Sequence, residues 1–142
     1  MTPLPPPEVQ AAFDTFAPEE REKLHVVRRL IFQCAVAIEA GPVTETLRWG
    51  QPAYLVKRGS SLRLGIGKTG QAAIFAHCQS SIISDFATVF GADFKLDGNR
   101  AVYLEKLGPE VLEKLQFLIL HGLQYKRLPK ARLTVAQMTL QI

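Results

Sequence analysis

Near both ends of the chain, apolar residues recur every three or four positions, which is the spacing of one buried helix face. The clearest such stripe lies within 18–40 and consists of Leu24, Val27, Ile31, Cys34 and Ile38. Glutamates at the start of this segment suit the positive end of a helix dipole, and Gly41-Pro42 interrupts the pattern. The spacing predicts a long helix over 18–40.

Three other segments share this helical period. They are 8–16, a segment that begins at Ser80 or Ser81 and ends at Gly91, and a segment from Pro109 to about Arg127. Ser80 or Ser81 can cap a helix, and proline at position 109 suits a first turn. The sequence therefore predicts four helices.

Between the helices the hydrophobic period shortens to two. Leu62, Leu64 and Ile66 alternate with Arg63, Gly65 and Gly67, which predicts a strand with one buried and one open face. Short strands are predicted over 52–57, 61–68, 71–77, 94–96 and 101–105. The predicted fold class is α+β, with helices packed on an antiparallel sheet of about five strands.

The 142 residues fit one domain of common size. We expect a single α+β domain over 8–128, preceded by an exposed, flexible, proline-rich lead-in over 1–7. The tail over 129–142 carries apolar residues that suit a docked strand, a short helix or a frayed end.

Composition narrows the class of protein. Hydrophobic residues make up 47% of the chain and charged residues 21%, the ordinary balance of a globular domain. The two cysteines, Cys34 and Cys78, suit a reducing compartment. Neither a signal peptide nor a run of about 18 apolar residues is present. We therefore expect a cytoplasmic protein, a monomer or homodimer, with no membrane partner.

The net charge of +4 suggests one possible partner. A basic surface can bind nucleic acid through phosphate contacts. The candidate residues are Arg28, Arg29, Lys126, Arg127, Lys130 and Arg132. The alternative is an ordinary solvated helix end followed by its tail.

Two motifs are incomplete. In the stretch 65–69 the first glycine of a phosphate-binding loop would fall at Leu62, so a turn between strands is the better interpretation. His77 and Cys78 have no nearby ligand pair for a metal. The sequence therefore predicts no cofactor and no metal site.

The most informative stretch is 45–54, where the chain passes from the long helix into the sheet. The candidate ligand-binding residues are Glu45, Arg48, Trp49, Gln51 and Tyr54. Their flat aromatic faces, charges and amide can line a ligand cleft. The alternative is structural: Trp49 and Tyr54 seal the junction between helix and sheet, and Glu45 pairs with a neighbouring base.

This stretch resembles the YdhG-like proteins, small bacterial domains of largely unknown function, through Glu45, Gly50, Pro52 and Tyr54. The order of elements is similar from about Phe13 to Leu128. The resemblance implies a frataxin-like α+β fold and no catalytic site. It also implies an iron-chaperone role by analogy with some relatives, which requires clustered carboxylates; the local acidic group here is Asp14, Glu19, Glu20 and Glu22.

Competing functions remain open from the sequence. The preferred hypothesis is a non-enzymatic module that binds a small ligand or a protein through the stretch 45–54. The alternatives are a nucleic-acid-binding protein, an iron-binding chaperone, and, ranked last, an enzyme with Glu45 or His77 as its acid or base.

Overall fold

A computed structural model describes residues 2–126. The helices are α1 (Pro7–Asp14), α2 (Pro18–Ala37), α3 (Ile82–Phe90) and α4 (Pro109–Leu123), with a 3-10 turn over Gly91–Asp93. The strands are β1 (Thr44–Arg48), β2 (Gln51–Leu55), β3 (Leu62–Ile66), β4 (Ala72–Ala76), β5 (Leu96–Asp97) and β6 (Ala101–Tyr103). The predicted α+β class is confirmed, whereas the frataxin-like fold stays a prediction. The tail over 129–142 lies outside the described residues.

The strands form one antiparallel sheet in the order β1-β2-β3-β4-β6-β5. It has six strands rather than about five, because β1 and β2 form a hairpin where the sequence pattern predicted only a passage into the sheet. The turn is Trp49-Gly50, with φ values of 54° and 74°. The sequence of such a turn is usually Asn-Gly or Asp-Gly. With tryptophan at position 49, the pattern did not indicate a hairpin.

The helices end earlier than their apolar stripes suggested. Helix α2 stops at Ala37 instead of 40, and Glu39 and Gly41 then take positive φ values of 52° and 85°. These left-handed residues turn the chain towards β1. The first helix likewise ends at Asp14, and α4 ends at Leu123.

All four helices pack on the same side of the sheet. Their buried residues share one hydrophobic core with Tyr54, Leu62, Leu64, Ile74 and Val102 from the strands. The opposite face carries a separate small cluster of Ala73, Phe75, Ala101 and Tyr103. No helix within residues 2–126 contributes to that second cluster, but its residues are themselves buried, and Gly65 of β3 is buried as well, so the face that was predicted to be open is only partly open.

The two cysteines are free thiols in different settings. Cys78 is exposed, whereas Cys34 is buried, and burial raises the pKa of the Cys34 thiol to about 12. Cys34 therefore acts as a small apolar core residue. Among the described helices, none combines the length and apolar character needed to cross a bilayer.

The connection between β2 and β3 crosses the C-terminal end of α4. The amide of Ser60 donates to the carbonyl of Gly122 at 2.9 Å, and the amide of Lys126 donates to the carbonyl of Arg58 at 2.8 Å. Gly59 lies between these two bonds, where a Cβ would come within 2.9 Å of the Leu123 carbonyl oxygen. Only glycine fits this crossing, because the neighbouring atom belongs to the backbone.

Replacement of Gly59 by alanine tests this close approach. We expect Gly59→Ala to lower the free energy of unfolding by about 1–3 kcal/mol, since backbone must move to admit the methyl group. Urea titration followed by circular dichroism measures the change. The matched control is Gly91→Ala, whose Cβ would meet its nearest neighbour at an ordinary 3.5 Å. Equal effects of the two substitutions would contradict the packing described here.

Candidate functional site

A buried ion pair joins the long helix to the β1–β2 hairpin. Arg28 of α2 donates from Nε to Glu45 Oε2 at 2.6 Å and from Nη2 to Glu45 Oε1 at 2.8 Å. The Tyr54 hydroxyl donates to the same Glu45 Oε2 at 2.8 Å. Only 6% of the Arg28 side chain and 5% of the Glu45 side chain are exposed. Both oxygens of the Glu45 carboxylate therefore accept hydrogen bonds, and the side chain is almost completely shielded from solvent.

The surroundings of Arg28 hold its charge in place. Its Nη2 also donates to the carbonyl of Pro3 at 2.6 Å, and its guanidinium lies 4.9 Å from the centre of the Phe32 ring. The hydrogen bond to Glu45 raises the pKa of Arg28 despite burial, which acts in the opposite direction. Burial, together with the charge of Glu45, raises the pKa of Tyr54. Arg28 thus stays charged and Tyr54 stays neutral.

The five predicted ligand-binding residues occupy three different environments. Glu45 and Tyr54 lie in the buried cluster with Arg28. Arg48 and Gln51 form a cross-strand pair, and Gln51 accepts a hydrogen bond from Arg63 at 2.8 Å. Trp49 stands at the hairpin tip with 88% of its surface exposed. The structure does not gather these residues into one cleft, and their binding role stays a prediction.

The basic residues proposed for nucleic acid are also separated. Arg28 is occupied by Glu45, whereas Arg29 and Lys126 are exposed. The remaining three, Arg127, Lys130 and Arg132, lie outside the described residues. Nucleic-acid binding through this set therefore stays a prediction.

The candidates for metal and catalytic chemistry are dispersed. Within residues 2–126, no three His, Cys, Asp or Glu side chains come together in a way that could hold a metal ion. His77 is exposed, and its Nδ1 accepts a hydrogen bond from the Gln79 amide at 3.1 Å.

A cavity of about 440 Å³ lies where the start of α2, the start of β4 and the end of β6 meet. The segment between α3 and β5 and the start of α4 complete its wall. Its lining residues are Glu19, Lys23, Gln71, Asp93, Phe94, Lys95, Tyr103, Glu105, Lys106 and Val111. No motif indicates this cavity, because its residues come from five segments that are distant along the chain.

Tyr103 is the most deeply buried residue of the lining, with 4% of its surface exposed. Its ring lies across the backbone of Gly67, and any Cβ at position 67 would collide with the ring. No residue in the described part of the chain forms a hydrogen bond with the Tyr103 hydroxyl, which keeps some contact with solvent. The hydroxyl can therefore form a hydrogen bond with water or with a ligand.

The rim of the cavity carries three carboxylates and three lysines. Asp93 is paired with Lys114 at 3.3 Å, and Lys23 is paired with Glu20 at 3.4 Å. The other four, Glu19, Lys95, Glu105 and Lys106, form no ion pair with any residue in 2–126. Half-buried Phe94 and Val111 add apolar surface. The cavity can therefore hold a ligand that has charges of both signs next to an apolar part.

The fold and this cavity define an α+β protein with a one-sided sheet and a charged pocket at one end. No protein-family model, curated protein or solved structure matches the chain. The similarity to the YdhG-like family accordingly stays a prediction.

Removal of the Glu45 carboxylate tests the buried ion pair. We expect Glu45→Ala to lower the free energy of unfolding by about 3–5 kcal/mol, because Arg28 would be left charged and buried without its partner. Urea titration measures the loss, and the double variant Arg28→Leu with Glu45→Leu should recover part of it. The control, Asp93→Asn, removes a more exposed pair.

For Asp93→Asn, which breaks the exposed pair with Lys114, the expected loss is about 0–1 kcal/mol. A loss for Glu45→Ala no larger than this would contradict a tightly coupled buried pair.

Proposed function

We propose that this protein is a non-enzymatic module that binds a small amphoteric ligand in the cavity lined by Tyr103. Such a ligand carries a cationic and an anionic group next to a flat or apolar part. The observation that carries the proposal is a cavity of about 440 Å³ whose lining combines Tyr103 and two apolar residues with four charged side chains, two of each sign, that form no ion pair among the described residues.

The size and lining of the cavity support a small molecule. A volume of about 440 Å³ lies within the range of ligand pockets, roughly 300–1,000 Å³. Such pockets combine apolar walls with a few polar groups that fix orientation. Here Phe94 and Val111 provide apolar contact, and Tyr103 adds a residue whose hydroxyl has no hydrogen-bond partner among the described residues.

The charges on the rim support an amphoteric ligand rather than a simple anion. Lys95 and Lys106 suit a carboxylate or phosphate, whereas Glu19 and Glu105 suit an ammonium group. These side chains are exposed, so each contributes more to selectivity than to affinity. A ligand with only one sign of charge would meet like charges on this rim.

The core of the protein holds the rim in position. The Glu20 carboxylate accepts a hydrogen bond from the Ala72 amide at 2.6 Å, which fixes the start of α2 to the start of β4. Further along α2, Arg28 is tied to Glu45. These two attachments orient Glu19 and Lys23 towards the cavity. A prearranged rim favours binding because little ordering is required.

A screen with free L-amino acids, dipeptides and amino sugar phosphates tests this proposal. We expect at least one of these probes to raise the melting temperature. A probe at about 100 times its Kd adds about 2.7 kcal/mol of stability, which amounts to several degrees for a domain of this size. Amide chemical-shift changes should map to the cavity lining.

Substitution of the central tyrosine distinguishes this cavity from other sites. Tyr103→Phe keeps the ring over Gly67 but removes the hydroxyl, so the affinity should fall by about 3- to 10-fold. Isothermal titration measures the change. Tyr125→Phe is the matched control, because the Tyr125 hydroxyl accepts from the Ser81 amide outside the cavity. The absence of any binding probe, or equal losses for both variants, would refute the proposal.

A further inference from the structure

Trp49, the only tryptophan of the chain, occupies a position that suits neither its backbone nor its side chain. Its φ of 54° is left-handed, a conformation that a bulky L-residue adopts only at a cost. Its surface is 88% exposed. Asparagine before Gly50 would favour the same turn and would be hydrophilic. An exposed tryptophan in a strained turn suits an anchor at an interface.

Strand β1, which leads into this turn, is an edge of the sheet. In a hairpin with a two-residue turn, Arg48 and Gln51 form the first hydrogen-bonded pair. The amides and carbonyls of Glu45 and Leu47 consequently point away from β2. No described residue forms a backbone hydrogen bond with them.

This edge has only part of the usual protection against strand pairing. Natural edges are shielded by lysine, proline, bulges, short length, inward-pointing charges or a covering helix or loop. Here the inward-pointing charge of Glu45 is neutralised by Arg28. Strand β1 has the sequence TETLR, without lysine or proline, and pairs with β2 over all five positions. The opposite edge, β5, has only two residues. The sheet can therefore be extended at β1.

We propose that two copies of the chain pair through their β1 strands, antiparallel, about a two-fold axis at Thr46. In this register Glu45 of each copy pairs with Leu47 of the other. Both residues present outward amides and carbonyls, so the two pairs exchange their hydrogen bonds reciprocally. The two sheets then become one continuous sheet.

The side chains are compatible with this self-pairing. Thr46 of one copy faces Thr46 of the other, which is a favourable cross-strand pair. Arg48 faces Thr44 of the second copy rather than another cation. The Glu45 charge is already neutralised within its own chain by Arg28, so it meets Leu47 without a repulsive partner. The register therefore opposes no like charges.

In the same register, the exposed indole of Trp49 packs against the second copy. Trp49 lies opposite Val43 of the second copy, next to Pro42 in sequence. Leu4, 91% exposed, follows Pro3, whose carbonyl is bound to the same guanidinium as Glu45. Two exposed apolar side chains, Trp49 and Leu4, thus lie near this edge. A second copy accounts for the open backbone and the strained tryptophan together.

The pairing is tested by opposite charges introduced at the two-fold axis. We expect the native chain to sediment as a dimer and its tryptophan emission to shift to the red on dilution. Thr46→Lys and Thr46→Glu should each be monomeric, because like charges would face each other. An equimolar mixture of the two variants should recover the dimer. Thr69→Lys, in the exposed turn before β4, is the matched control and should remain dimeric.

A second variant separates the interface from folding. Trp49→Asn suits the turn, so the folded monomer should be at least as stable, while the dimer Kd should rise by about 30-fold or more. A native chain that is monomeric at high concentration would overturn the proposal. So would a dimer that persists in Thr46→Lys and Trp49→Asn. Neither outcome bears on the cavity at Tyr103, which is assayed by ligand titration.

Discussion

The contact between Arg28 and Glu45 fixes how the helical layer meets the sheet. Removing these two charges from water costs several kcal/mol per ion, and the cost is offset only when every group is engaged. Two hydrogen bonds from the guanidinium and one from the Tyr54 hydroxyl engage both oxygens of the Glu45 carboxylate. A shift of α2 along the β1–β2 hairpin would leave a buried charge without its partner. The ion pair therefore permits only one position of α2 on the hairpin.

The spacing of apolar residues and the positions of glycine and proline were enough to predict much of the architecture. Helix α2 and the alternation of β3 follow from apolar spacing, which depends only on burial of one face. The pairing of Glu45 with a base was anticipated as the structural alternative. The partner of Glu45 could not be identified from the sequence, because Arg28 lies 17 residues away. Arg28 is also adjacent to Arg29, and this pair of arginines is typical of a basic surface. Strand β1 was missed because Trp49 replaces the usual turn residue.

The cavity at Tyr103 could not have been predicted from the sequence. Its charged residues look like ordinary surface positions, and they meet only because the starts of two helices and the ends of three strands converge. The one local signal is Gly67, which lies in an incomplete phosphate-binding motif. Its lack of a side chain serves instead to admit the Tyr103 ring. A glycine can therefore mark a nearby aromatic residue rather than a ligand.

The features that support binding are separate from those that hold the core together. Phe13, Ile74 and Leu118 are fully buried in one cluster, where packing alone explains their identity. By contrast, the Tyr103 hydroxyl and the Trp49 indole add little to the stability of a single chain in their observed settings. Folding requires neither a polar atom in a buried phenol nor an indole in a left-handed turn. Their presence is explained most directly by contacts made after the chain has folded.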